Sequence, residues 1–160
     1  MPLSVLDLAF LGPGQSGRDA FAASVRVAQR AEELGDRRAG YAEHHKLASI
    51  ASSTTSVLIE HAASRTRTIR VGAGRIMLPN HAPLVIEEQF GTLEALHPGR
   101  IDHLGLGRAP GTDPTTTRPC AAAPRRQKFG PINFWDHTTS AAPQIVRPAP
   151  GIVAPAWRGA

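Results

Sequence analysis

The chain has 160 residues, of which 41% are apolar and only 5% aromatic, and a formal net charge of +5; that length gives room for one domain with a modest core. Its single cysteine, Cys120, excludes an internal disulfide and a cysteine-based zinc site. No apolar run approaches the roughly 18–20 residues of a membrane span, and the first residues lack the basic region and apolar core of a signal peptide, so a cytoplasmic protein without membrane contact is expected.

The charge is unevenly placed. Residues 1–113 hold 12 Lys/Arg and 12 Asp/Glu, whereas residues 114–160 hold six basic residues against Asp136 alone. The body is electrically balanced, so nucleic acid is not an expected partner.

Four strand-like segments begin near Leu3, Arg37, Ile69 and Arg100, at spacings of 34, 32 and 31 residues. Three helical patterns separate them. The first spans residues 18–34, with Phe21, Val25, Ala28, Ala31 and Leu34 on one face and Gly35 as its stop. A second covers residues 53–65. The third opens at Pro83, a favoured first-turn residue, with Glu87 and Glu88 near its positive end. Ile86, Phe90, Leu93 and Leu96 form its buried stripe, and Pro98-Gly99 ends it. A repeat of about 30 residues marks βα units on a parallel sheet. Four units make either an open doubly wound sheet or half of a (β/α)8 barrel, which normally needs about 250 residues.

From about Pro114 the pattern breaks. Residues 114–160 contain 8 of the 14 prolines, which rules out a long helix or a central strand there. This second segment reads either as a disordered basic tail or as out-of-frame translation of a GC-rich gene.

Several motifs fall at strand ends. Gly12-Pro13-Gly14-Gln15-Ser16-Gly17 formally matches the dinucleotide fingerprint, but Pro13 removes an amide donor, Glu43 at the end of the second strand is 26 residues after Gly17 rather than about 20, and Asp36, at 19, lies before that strand, so NAD(P) binding is a minor alternative. Glu43-His44-His45 follows the second strand, where an imidazole can serve as a general base or simply face solvent. Adjacent histidines point in different directions and the H-E-x-x-H spacing is absent, so no metal site is expected. Gly72-Ala73-Gly74-Arg75 ends the third strand, and its small residues admit a flat ring or merely make a tight bend. Asn80 and His81 precede the Pro83 helix as candidate caps. Gly105-Leu106-Gly107-Arg108-Ala109-Pro110-Gly111 follows the fourth strand, and Arg108 can pair with phosphate. The chain has neither a G-x-S-x-G elbow nor a P-loop lysine.

Taken together, Ala42-Glu43-His44-His45, Ile69-Arg70-Val71-Gly72, the run from Met77 to Pro83, the run from Glu88 to Leu96, Pro98 to Asp102 and Gly105 to Asp113 resemble the N-terminal part of the luciferase-like, flavin-dependent monooxygenases. The resemblance covers residues 1–113. It implies the first four βα units of a (β/α)8 TIM barrel, and an enzyme that takes reduced FMN from a separate flavin reductase. With O2 it would oxygenate an aldehyde or another small organic substrate. By position, His44 and Glu43 would be catalytic. Gly74 and Arg75 would lie against the isoalloxazine ring, and Arg108 would approach the flavin phosphate. Family dimers imply a homodimer through the second and third helices. His103 looks like a one-residue insertion, which reverses the facing of everything beyond it unless a bulge absorbs it. The contrasting possibility is a non-enzymatic half-barrel that self-associates through its open sheet edges.

Overall fold

The computed structural model describes residues 3–109. Strands β1 (Ser4–Asp7), β2 (Arg38–Ala42), β3 (Arg70–Met77) and β4 (Ile101–Gly107) alternate with helices α1 (Gly17–Glu33), α2 (Thr55–Ala63) and α3 (Pro83–Leu96). Each strand starts one residue beyond its expected position. The segment from Pro114, including Cys120, lies outside the described residues.

All three pairings are parallel and the sheet order is β1-β2-β3-β4. Right-handed crossovers between neighbours taken always in the same direction put every helix on one face of the sheet. Accordingly α1 touches α2, and α2 touches α3. A doubly wound sheet reverses direction beside its first strand and has helices on both faces. The sequential order therefore decides for the barrel arrangement. Among the described residues no helix is long and apolar enough to cross a membrane.

Strand alternation sends Ala39, Tyr41, Val71 and Ala73 into the core between sheet and helices, where they meet Ile59, Ala62, Ile86, Phe90 and Leu93. Tyr41 is 1% exposed. Burial, and then the negative charge of Asp7, hold its phenol protonated far above the usual tyrosine range. Leu34 and Leu96, expected on buried stripes, are instead exposed. Glu87 and Glu88 fall in the second turn of α3, beyond the first turn where the helix dipole acts.

The glycine-rich turn before α1 is closed on itself. Gly12 N–H donates to Gln15 Oε1 at 2.8 Å, and Gln15 N–H returns to the Gly12 carbonyl at 3.1 Å. Ser16 caps the helix in a reciprocal box with Asp19, whose carboxylate accepts from Ser16 N–H at 2.9 Å and Ser16 Oγ at 2.6 Å. The helix N-terminus already holds a carboxylate where a pyrophosphate would sit. The fingerprint match is thus a capped turn.

Glu32 joins α1 to the entrance of β3. Its Oε1 accepts from the amides of Arg67 (2.8 Å), Thr68 (2.5 Å) and Ile69 (2.9 Å) and from the Thr68 hydroxyl (3.1 Å). Partial burial raises its pKa, but the amides and hydroxyl together outweigh that and hold it down at about 2, against 4.5 in the unfolded chain. A depressed folded pKa gives stability that is fully present above pH 4.5 and is lost as pH falls toward 2. We expect Glu32→Gln to cost about 1–2 kcal/mol at neutral pH, allowing for solvent screening, and almost nothing near pH 2. Urea titrations of both chains at the two pH values measure this; an equal loss at both would remove the carboxylate's charge from the explanation.

Candidate active site

Parallel strands bring the ends of β2, β3 and β4 to one edge of the sheet, together with the residues that follow them. Two register shifts shape that edge. Between β3 and β4 the pairing runs Val71↔Ile101, Gly72↔His103, Ala73↔Leu104, Ile76↔Leu106 and Met77↔Gly107. β4 spends one extra residue at Asp102, and β3 spends one in the segment Gly74-Arg75. The second shift cancels the first, so the residues leading to Arg108 return to the register that precedes the insertion. A bulge does absorb the added residue.

β3 also bulges against β2, where pairing passes from Tyr41↔Ala73 to Ala42↔Arg75. Gly74 is therefore skipped on the β2 side, and a Cβ there would come within 2.6 Å of Leu6 Cδ1. Arg75 is exposed, and its Cδ passes over Gly107, beside Arg108. Neither Arg75 nor Arg108 forms a salt bridge among the described residues.

The centre of the edge is Glu43, 1% exposed. Its backbone N–H donates to the Arg75 carbonyl at 3.3 Å, and its Oε2 accepts from Met77 N–H at 3.1 Å. Oε1 lies 2.5 Å from His45 Nε2 and 2.7 Å from His81 Nε2. These three side chains converge closely enough to raise the question of a metal ion. Ligand atoms around a tetrahedral zinc sit about 3.3 Å apart, so the shorter separations here are those of hydrogen bonds.

His44 is half-buried, and its backbone N–H donates to the Ser52 carbonyl at 3.0 Å. Its Nδ1 is buried with no hydrogen-bond partner, as is Asp7 Oδ2 at the end of β1. A buried polar atom left unpaired is costly and marks a place where a ligand can supply the missing partner.

The structure thus gathers Glu43, His44, Gly74, Arg75 and Arg108 along one sheet edge. His81, expected as a helix cap, has a different place: α3 is capped at Ala82 without any side-chain bond, and the His81 ring turns to Glu43 instead. The available signal was that His81 follows a strand end, as the Glu43-His44-His45 run does.

Three βα units and a fourth strand in sequential order, with their polar groups at the strand C-termini, define the class of TIM-barrel enzymes. Within that class the chain belongs to the luciferase-like monooxygenase family, which matches residues 1–128. A luciferase-like monooxygenase of Escherichia coli (strain K12) is 49% identical over 158 residues, an alignment covering 92% of this chain and 45% of that protein. The crystal structure of apo-MsnO8 superposes with a TM-score of 0.71 at 36% identity, over 76% of this chain and 36% of the other. A second solved relative is the oxygenating constituent of 3,6-diketocamphane monooxygenase from Pseudomonas putida, a type II Baeyer-Villiger monooxygenase in complex with FMN. It has a TM-score of 0.60 at 25% identity, over 68% of this chain and 30% of the other. The chain spans less than half the length of each of these relatives.

Proposed function

We propose that this chain forms the first four βα units of a cytoplasmic monooxygenase that takes reduced FMN from a separate reductase. With O2 it oxygenates an aldehyde or a similarly small organic substrate. The observation that carries this reading is the pairing of two unbridged guanidiniums, Arg75 and Arg108, with an unpartnered buried imidazole nitrogen on the same sheet edge. A dianionic phosphate and a flat heteroaromatic ring with polar edges match those groups in charge and shape.

Arg108 would hold the phosphate, and the Gly74-Arg75 bulge would take the ring face. Bound there in its reduced form, FMN would supply the electrons that activate oxygen. His44 would hold or move a proton at Nδ1 beside the reacting atoms, and Glu43 would keep that imidazole in place. Val57 on α2 and Leu84, Val85 and Leu96 on α3 are exposed apolar side chains, which supports a homodimer through these two helices.

The test is a titration of the 160-residue chain with FMN, followed by the change in flavin fluorescence. Saturable binding that weakens about tenfold or more in Arg108→Ala, as loss of a charge-assisted pair predicts, supports the reading. A chain that stays folded yet leaves millimolar FMN free in solution overturns it.

A further inference from the structure

Glu43 and His81 stand 38 residues apart, yet they meet at 2.7 Å behind the site. Resting on the flavin reading above, we propose that they form a positioning pair that sets the distance between His44 and the Gly74-Arg75 bulge.

Among the described residues the buried Nδ1 of His44 has no hydrogen-bond partner. Its place is inherited from the backbone, and that backbone is fixed on two sides. Ser52 receives the His44 amide at 3.0 Å, and Arg75, inside the bulge, receives the Glu43 amide at 3.3 Å. The Glu43 carboxylate then grips β3 a second time, through Met77 N–H at 3.1 Å. One residue therefore ties the end of β2 to β3 at two points flanking Ile76. His81 pulls the turn after β3 onto the same oxygen that His45 approaches from the β2 side.

Chemistry makes the arrangement specific. An ionised carboxylate only accepts, so both Nε2 atoms must carry their protons, and a neutral ring then leaves Nδ1 bare. With both oxygens engaged and 1% exposure, Glu43 has no free face toward a substrate. It acts through His44. Replacing it by Gln keeps the volume, but the amide NH2 must then oppose either the Met77 N–H at the Oε2 position or both histidine Nε2–H donors at the Oε1 position. Replacing His81 by Gln keeps an N–H at about the position of Nε2, whereas Ala removes it.

The test is heteronuclear NMR of the histidine rings, with amide hydrogen exchange, in the full chain without flavin. We expect His45 and His81 to show the Nε2–H form at neutral pH. In His81→Ala the exchange protection of the Glu43 and Met77 amides should fall about tenfold, as for loss of one hydrogen bond to a charged group, and the His44 ring signals should move. His81→Gln should restore both, and Glu43→Gln should either switch both histidines to the Nδ1–H form or strip the Met77 amide of its protection. A His81 ring protonated at Nδ1 overturns the pair. So do His44 signals that ignore His81→Ala, or stoichiometric zinc uptake that strips both Nε2 protons. Should the pair be found intact in a chain that rejects FMN, the flavin reading falls while the pair stands.

Discussion

Asp102→Ala is expected to cost 3–5 kcal/mol, the usual penalty for breaking a buried ion pair from one side. That is a large part of the whole stability of a domain this size. Asp102 is the residue that β4 skips between the Val71↔Ile101 and Gly72↔His103 pairs. Freed from the ladder's regular spacing, its carboxylate is 3% exposed, bonded to Arg38 Nε through Oδ2 and to Arg70 Nη1 through Oδ1 at 2.9 Å. Arg38 and Arg70 open β2 and β3, so the three residues lock the N-terminal ends of three strands together. That edge is opposite the proposed active site, and barrel residues at this end serve stability rather than catalysis. The Arg38 side chain is only 15% exposed and would lose the Asp102 carboxylate from a largely dry position. Arg70, at 41%, can turn to water and adds less. Asp102→Asn should cost less than Ala because it still accepts one bond. Replacing all three by Met, Met and Leu should recover most of the loss, because the desolvation of three charges disappears together with their attraction. Urea unfolding of the three variants measures this; an Asp102→Ala chain within about 1 kcal/mol of the parent, a surface-pair value, would show that the carboxylate is solvated.

The elements of the fold were legible because period carries them. Ala28 and Ala31 on α1, and Ile86, Phe90 and Leu93 on α3, are buried where 3.6-residue spacing places them. Leu34 and Leu96 fail for a shared reason. One is the C-cap of α1 and the other the last residue of α3, where the chain leaves the helical screw and a wheel position no longer names a direction. Doubly wound and barrel arrangements share the same βα period, so only pairing order could separate them. At the site, Glu43, His44 and Arg108 were legible as residues just past strand ends, whereas Arg75, expected to end the third strand, lies inside β3, which continues to Met77. The sequence could not supply the Glu43–His81 contact, which depends on the β2–β3 register. Nor could it supply the bulge at Gly74. The small residues around Gly74 permit a bulge, but the two register shifts on β3 and β4 create it together. The extra residue near His103 was visible in sequence; its cancellation one turn of pleat later was not.

Gly105→Ala is the substitution expected to test that cancellation most severely. Gly105 lies on β4 between Leu104, paired with Ala73, and Leu106, paired with Ile76. It therefore faces Gly74 and Arg75 together, one residue against two. A Cβ on Gly105 would overlap the Gly74 carbonyl oxygen and come within 2.8 Å of the Ala73 carbonyl oxygen. These obstacles are backbone, which cannot swing aside as a rotamer does. Either β4 must move off β3 or the bulge must be rebuilt. Ordinary overpacking costs about 1–3 kcal/mol, and we expect Gly105→Ala to reach or exceed the top of that range. Gly74→Ala offers the contrast within the same bulge. Its new methyl would meet chiefly Leu6 Cδ1, the end of a side chain that is 58% exposed and free to turn, so its cost should be well below that of Gly105→Ala. The functional consequence follows from what the bulge carries. Rebuilding it moves Arg75 relative to Gly107 and Arg108, so FMN binding should fall with Gly105→Ala even in whatever fraction stays folded. Urea unfolding combined with the flavin titration separates the two effects. A Gly105→Ala chain with parental stability and FMN affinity would mean that β3 and β4 pair without the compensating shift, and the register placing Arg108 beside Arg75 would have to be redrawn.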